Sequence, residues 1–354
     1  MIYLIEYYRG KTILITGHTG FKGSWLCRLL THLGAKVYGY ALAPSTEVNL
    51  YDLLELDNSI RSKIGDIRDF NSLYDFYKTV NPDICIHMAA QPLVLEGYRN
   101  PRETYDVNVM GTVNVMECAR LCKTRSVINV TTDKVYENHD LANPFRESDR
   151  LGGYDPYSNS KSCSEFVTQC YVRSYPEFYH AVSTVRAGNV IGGGDFAPDR
   201  IVPDCIRAVA SGSKIIVRNP NSIRPYQHVL EPLYSYLYIA YEQDLDPRKA
   251  GAYNIGPDEG DCLTTGNLVQ SFCDAWGENA SWGTINADGP HEAEYLKLDN
   301  SLAKKTFNLS PIWDSSVAIS KVVEWAKIWK CGGDLINVVD SQIKEYLIGR
   351  GLDV

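Results

Sequence analysis

Apolar positions along this chain recur with two periods. Residues 11–16, Lys11-Thr12-Ile13-Leu14-Ile15-Thr16, form a short β-branched run closed by Gly17, and Phe21, Trp25, Leu29 and Leu30 then fall on one helical face. The pattern reads as strand, tight turn, helix. Strand-length apolar runs recur at 36–40, 84–88, 127–131 and 182–190, with helix-length segments between most of them. Such alternation predicts an α/β fold: a Rossmann-type, doubly wound parallel sheet with helices on both faces. Two longer helical patterns stand out, 102–122 with Val109, Val113 and Met116 in register, and 157 to about 171 after the turn Gly152-Gly153-Tyr154-Asp155-Pro156. Either face could pack on the sheet or on a second subunit. Beyond Val190 the rhythm breaks into Gly-, Pro- and Asp-rich stretches, which suits a smaller, discontinuous α+β lobe.

Length agrees with two lobes, because 354 residues exceed a single core of roughly 250 to 300. The expected division is 1–187 plus about 229–257 for the sheet domain, and 188–228 plus 258–354 for the lobe. No apolar run approaches the about 20 residues of a membrane-spanning helix, and the charge at Glu6 argues against a signal peptide, so the cytoplasm is the expected compartment. Ten cysteines at scattered positions match neither a zinc spacing nor a disulfide framework, which predicts buried free thiols and no metal. The net charge of −8 disfavours nucleic acid, and an anionic ligand would need local positive charge such as Arg218 and Arg224.

Gly17-His18-Thr19-Gly20-Phe21-Lys22-Gly23 lies between the first strand and first helix. Glycine there permits a sharp turn and lets a pyrophosphate approach the helix N-terminus, where free N–H groups and the helix dipole favour negative charge. The acidic residue that usually follows the second strand is missing, which leaves NAD against NADP open. Asp66 is a candidate for the adenine amino group, with a helix N-cap as its other reading. The small residues of His87-Met88-Ala89-Ala90-Gln91 would let a cofactor approach the backbone.

Tyr157-Ser158-Asn159-Ser160-Lys161, preceded by Thr132 at a strand end, places a phenol and an ammonium on one helical face. Making the phenol basic at neutral pH needs roughly 4 kcal/mol of tyrosinate stabilisation. A cation about 4 Å away at an effective dielectric near 20 would supply it. Asp133 and Lys134 add an acid and a base beside Thr132, the extra pair that elimination of water from a hexose requires.

Together with Asn108-Val109-Met110-Gly111-Thr112, Arg186-Ala187-Gly188-Asn189-Val190, Gly192-Gly193-Gly194-Asp195, Arg224-Pro225-Tyr226-Gln227-His228 and Pro290-His291-Glu292-Ala293, these motifs resemble the CDP-glucose 4,6-dehydratases, an NAD-dependent family of extended short-chain dehydrogenases. The resemblance covers nearly the whole chain. It implies tightly held NAD on Gly17, Thr19, Gly20, Phe21, Lys22, Gly23, Asp66, Ile67, Ala89, Ala90, Gln91, Asn108, Tyr157 and Lys161. It implies a nucleotide sugar, CDP-glucose, held by Asn189, Arg200, Arg218, Arg224, His228 and His291. Thr132, Tyr157 and Lys161 would serve C4 oxidation, Asp133 protonation of the leaving hydroxyl, and Lys134 removal of the C5 proton. It also implies a homodimer through the two long helices and a place in lipopolysaccharide O-antigen deoxysugar synthesis. Two departures concern substrate or outcome: Leu95-Glu96-Gly97 replaces an arginine and serine of the family pattern, and 139–145 lacks a tryptophan-rich stretch. A 4-epimerase shares the glycine turn, Thr132, Tyr157 and Lys161, but Asp133-Lys134 argues against it. A silent NAD-binding scaffold would not be expected to keep the full acid–base set.

Overall fold

The computed structural model describes residues 2–139, 143–175, 181–277, 279–285 and 294–352. Seven parallel strands form the central sheet: β1 Thr12–Thr16, β2 Lys36–Ala41, β3 Arg61–Ile64, β4 Ile84–His87, β5 Ser126–Val130, β6 Val182–Ala187 and β7 Ala252–Ile255. Their spatial order is β7-β6-β5-β4-β1-β2-β3, so the chain reverses direction between β1 and β4 and opens a crevice there at the strands' C-terminal ends. Successive side chains on a strand point to opposite faces. Accordingly Ile13, Ile15, Ile84, Ile86 and Ile128 enter one apolar cluster, and Leu14, Cys85 and Val127 enter the other.

Helix α1 (Phe21–His32) follows β1 directly and buries Trp25, Leu26, Leu29 and Leu30. Helix α2 (Phe70–Val80) starts where Asp69 accepts the Ser72 N–H and ends at Asn81 in the left-handed region. Asp69, not Asp66, is therefore the cap. The pattern at 102–122 becomes a helical turn Pro101–Tyr105, a π-helical turn Asp106–Met110 and helix α3 (Gly111–Leu121). Helix α4 (Pro156–Ser174) opens with Pro156 in its first turn and Asp155 as cap, its carboxylate accepting from Ser158 N at 3.0 Å. Helix α5 (Leu230–Leu245) packs on β5 and β6.

The apolar run 182–190 is not one strand. Gly188 breaks it: a Cβ there would lie 2.5 Å from Pro225 Cγ. After the break Val190–Ile191 pairs with Gln227–His228 in a separate two-stranded sheet. Two more small sheets join Ile215–Val217 to Trp282–Thr284 and Ile223–Arg224 to Leu263–Thr264. Helix α6 (Ser315–Lys330) packs on the helix Thr265–Trp276. Helix α7 (Leu335–Gly349) lies back against α1, where Arg28 donates two hydrogen bonds to Asp340, one at 2.6 Å. All ten cysteines are free, but only Cys27, Cys85, Cys118, Cys205 and Cys273 are buried. Among the described residues no helix is long and apolar enough to cross a membrane.

Candidate active site

The β1–α1 turn is built around close approach. Gly17 sits at φ +81° and a Cβ on it would come 2.7 Å from Ala89 N; a Cβ on Gly23 would collide with the Gly17 carbonyl. Gly20 forms the helix N-cap without a side chain, and beside it there is room, the nearest atom being 3.5 Å from a notional Cβ. That leaves free N–H groups at an open helix N-terminus, a cradle that fits a pyrophosphate. Thr19 turns away, donating to Leu42 O at 2.8 Å.

Other expected cofactor residues are engaged with protein. The Asp66 carboxylate is forked by Arg68 at 2.6 to 3.1 Å, and that hydrogen bonding holds its pKa below the usual range. The Ile67 side chain is buried over Gly111, where a Cβ has no room. Asn108 is buried at the π turn, its Oδ1 accepting from Gln91 N at 2.8 Å and its Nδ2 donating to Gln91 O and Ser160 Oγ. Asn108 thereby braces the backbone at Gln91.

A cavity of about 410 Å³ lies between the sheet and the smaller lobe. It brings together Phe21, Lys22, Thr132, Asp133, Lys134, Tyr157, Asn189, Arg200, Arg218 and Arg224. Lys161 lies beneath it, fully enclosed, donating to Val130 O at 2.8 Å. Burial first, only partly offset by the charge of Glu165, lowers its pKa to about 8. Burial likewise pushes the Tyr157 phenol up to about 12; the Thr132 hydrogen bond and the Arg200 charge oppose that, while Asp133 adds to it. Tyr157 and Lys161 share a face of α4, and the Lys161 ammonium is directed to the Val130 carbonyl.

Asp133 follows Thr132 in a short 3-10 turn that Thr132 itself caps. One carboxyl oxygen, Oδ1, accepts from Thr132 Oγ1 at 3.0 Å, and the other, Oδ2, is buried without a partner. Desolvation raises the Asp133 pKa against the pull of Lys134, Thr132 and Arg224. Burial therefore works against the ionised form, and Asp133 lines the cavity with Oδ2 lacking a protein partner. Lys22 lines the cavity half-buried: desolvation, then the charges of Arg200 and Lys161, bring its pKa down to about 7 against the pull of Asp133.

The three arginines all line the cavity. Arg200 pairs with Asp195 at 2.9 Å, Arg218 faces Asp199 at 3.8 Å, and Arg224 is anchored to Ile223 O at 2.9 Å. The acids Asp195, Asp199 and Asp204, which line the cavity with them, were not singled out from sequence; Asp195 closes the quoted glycine run and was the available signal. His228 does not reach the cavity. It is buried edge-on between Trp25 and Trp313, its Nδ1 accepting from Leu230 N at 3.3 Å. His291 lies outside the described residues. At the departing segment Leu93, Val94 and Leu95 present apolar surface to the cavity, and Gly97 fits close to Tyr157, a Cβ there reaching 3.1 Å from its nitrogen.

A parallel sheet with a glycine cradle at its switch point, and a Thr–Asp–Lys turn facing a Tyr–Lys helix, defines a dehydrogenase-type enzyme acting on a nucleotide-linked substrate. Residues 14–282 match the family model of the GDP-mannose 4,6 dehydratases, and the chain belongs to that family. It is 43% identical over 350 residues to the CDP-glucose 4,6-dehydratase of Salmonella typhimurium, covering 97% of this chain and 98% of that one. Among solved structures it is similar to the dTDP-glucose 4,6-dehydratase DesIV of Streptomyces venezuelae with NAD and TYD bound, at TM-score 0.78 and 23% identity, covering 92% of this chain and 99% of that one. It is also similar to a UDP-glucose-4-epimerase of Stenotrophomonas maltophila with bound NAD, at TM-score 0.80 and 18% identity, covering 91% and 100%. At those identities the last two likenesses concern the fold.

Proposed function

We propose that this chain is an NAD-dependent dehydratase that converts CDP-glucose to CDP-4-dehydro-6-deoxyglucose. The observation that carries the reading is Asp133: a buried carboxyl whose pKa desolvation raises, one oxygen without a protein partner, flanked by Lys134 and lining the same cavity as Tyr157. Oxidation at C4 alone would need no such group. The near full-length likeness to a CDP-glucose 4,6-dehydratase supports the choice of nucleotide sugar.

In this reading Gly17, Gly20 and Gly23 hold the cofactor pyrophosphate, with Phe21 and Lys22 toward the reaction centre. Bound NAD would supply the acceptor for the C4 hydride, its return to C6, and a positive charge that offsets the burial holding the Tyr157 phenol high. Tyr157, hydrogen-bonded to Thr132, receives the proton of the 4-hydroxyl. The resulting 4-ketone acidifies C5, Lys134 removes the C5 proton, Asp133 protonates the departing C6 hydroxyl so that water leaves, and the protonated Lys134 returns a proton to C5 as C6 takes the hydride. Arg200, Arg218 and Arg224 take the diphosphate, since a guanidinium fork matches two phosphate oxygens.

Residues 1–187 with about 229–257 form the cofactor half and 188–228 with 258–354 the sugar-nucleotide half. Exposed Tyr105, Met110 and Leu121 on the 101–121 helical segments and Phe166 on α4 support a homodimer through these elements. Free thiols suit the cytoplasm, and the product suits deoxysugar synthesis for a surface polysaccharide such as the lipopolysaccharide O-antigen.

The test is to incubate the purified protein with CDP-glucose and, separately, UDP-glucose, dTDP-glucose and GDP-mannose, identifying products by NMR. A 4-keto-6-deoxy sugar from CDP-glucose is expected. Recovery of CDP-galactose would replace this reading with a 4-epimerase, and turnover confined to another nucleotide would move the specificity.

A further inference from the structure

The residues on either side of the Thr132-Asp133-Lys134 turn reach one buried ion pair. Glu165 and Arg186 are almost entirely enclosed, with Arg186 Nε donating to Glu165 Oε1 and Nη2 to Oε2, both at 3.0 Å. Just before the turn, Thr131 Oγ1 donates to Glu165 Oε1 at 2.6 Å. Just after it, the Tyr136 hydroxyl accepts from Arg186 Nη1 at 2.9 Å and donates to Asn254 Oδ1 at 2.6 Å. Each Glu165 oxygen has a second donor, Thr184 Oγ1 reaching Oε2 at 2.8 Å. Tyr157, Lys161 and Glu165 are spaced i, i+4, i+8 on α4, so they run down a single face of one helix.

We propose that the Glu165–Arg186 pair is a positioning device: it locks the acid–base turn at both ends to the helix that carries Tyr157, so that elimination at C5/C6 stays in register with oxidation at C4. The inference rests on the reaction proposed above. Two chemistries on one sugar need two sets of groups held in fixed relation. A pair of flexible surface residues could not provide that, whereas a desolvated, forked and fully hydrogen-bonded pair is stiff. Tyr136 carries the lock further, because Asn254 on β7 also donates to Phe145 O and Asp299 O, backbone next to the smaller lobe. Ser162 reinforces the join, donating to Val135 O at 2.8 Å from α4.

The test uses Thr131→Val and Tyr136→Phe in the full-length holoenzyme. Each removes one link to the pair and leaves the pair intact. With CDP-glucose, C4 oxidation followed by cofactor absorbance in a rapid-mixing experiment should slow less than about 3-fold. Product formation should fall about 10-fold, equivalent to about 1.4 kcal/mol of transition-state stabilisation, with KM unchanged and reduced cofactor accumulating. Thr131→Ser, which keeps the hydroxyl, should restore both rates. Hydrogen exchange of peptide 131–137 should quicken about 10-fold in both variants with other core peptides unchanged. If oxidation and elimination fall together, or if the peptide keeps its protection, the pair is structural only and the proposal is overturned. If the wild-type protein makes no product from CDP-glucose, the functional reading fails by itself, and the exchange result alone then decides whether the pair positions the turn.

Discussion

Replacing Asp133 by Asn should separate the first chemical stage from the second. The amide keeps the shape and the contact with Thr132 Oγ1, but it cannot donate an acidic proton to the leaving hydroxyl. A positioned general acid contributes roughly 10²- to 10⁴-fold, or about 2.7 to 5.5 kcal/mol of the barrier. Product formation should fall within that span while the C4 step, which uses Tyr157 and Thr132, slows little. Rapid mixing with CDP-glucose should show the cofactor becoming reduced in the first turnover and staying so. Stability should move the opposite way. Desolvation raises the carboxyl's pKa in the folded state, so wild-type Asp133 costs stability once the pH exceeds its ordinary range, and the cost grows until the pH passes the folded value. The variant should be the more stable protein at neutral pH, with the difference closing as the pH falls toward about 4. Unchanged turnover, or an equal loss of cofactor reduction and product, would refute the assignment of Asp133 as the acid.

Three further outcomes follow from the same geometry. Gly23→Ala drives a methyl into the Gly17 carbonyl, so the purified variant should fold by circular dichroism yet lose NAD on gel filtration where wild type retains it; retained cofactor would contradict the cradle. Lys22, brought down to about 7 chiefly by burial, is charged below that pH and increasingly neutral above it, so KM for the anionic substrate should rise several-fold between about pH 6 and 8. Lys22→Met should show the high-pH KM throughout, and a parallel pH dependence in both proteins would exclude Lys22 as its source. Arg350→Met strips the counter-charge from Glu231, which is buried and also accepts from Trp313 N and the Tyr346 hydroxyl. Losing one partner of a buried pair costs about 3 to 5 kcal/mol, readable as a lower denaturant midpoint; a loss under about 1 kcal/mol would mean that the C-terminal helix is held by its apolar face alone.

Much of this architecture could be read along the chain because its signals are local. The β-branched runs, the glycine turn and the i, i+4 spacing of Tyr157 and Lys161 each depend on a few neighbouring residues. What escaped depended on distant partners. The break at Gly188 is enforced by Pro225, and His228 is withdrawn from the cavity by Trp25 and Trp313 from opposite ends of the sequence. The π turn carrying Asn108 adds a residue to the helical repeat without changing its apolar composition, so periodicity passed over it. Asp66 and Asp69 are both plausible caps, and only the start of the helix separates them. For Tyr157 the spacing was legible in the sequence, whereas the burial that raises its pKa depends on residues distant along the chain.

The most direct test follows isotopes through one turnover. With CDP-glucose deuterated at C4 and the reaction run in heavy water, the account predicts a 4-keto-6-deoxy product carrying the original C4 deuterium at C6 and solvent deuterium at C5. Return of the label to C4 in a galactose-configured sugar, or a product with no solvent deuterium at C5, would contradict it.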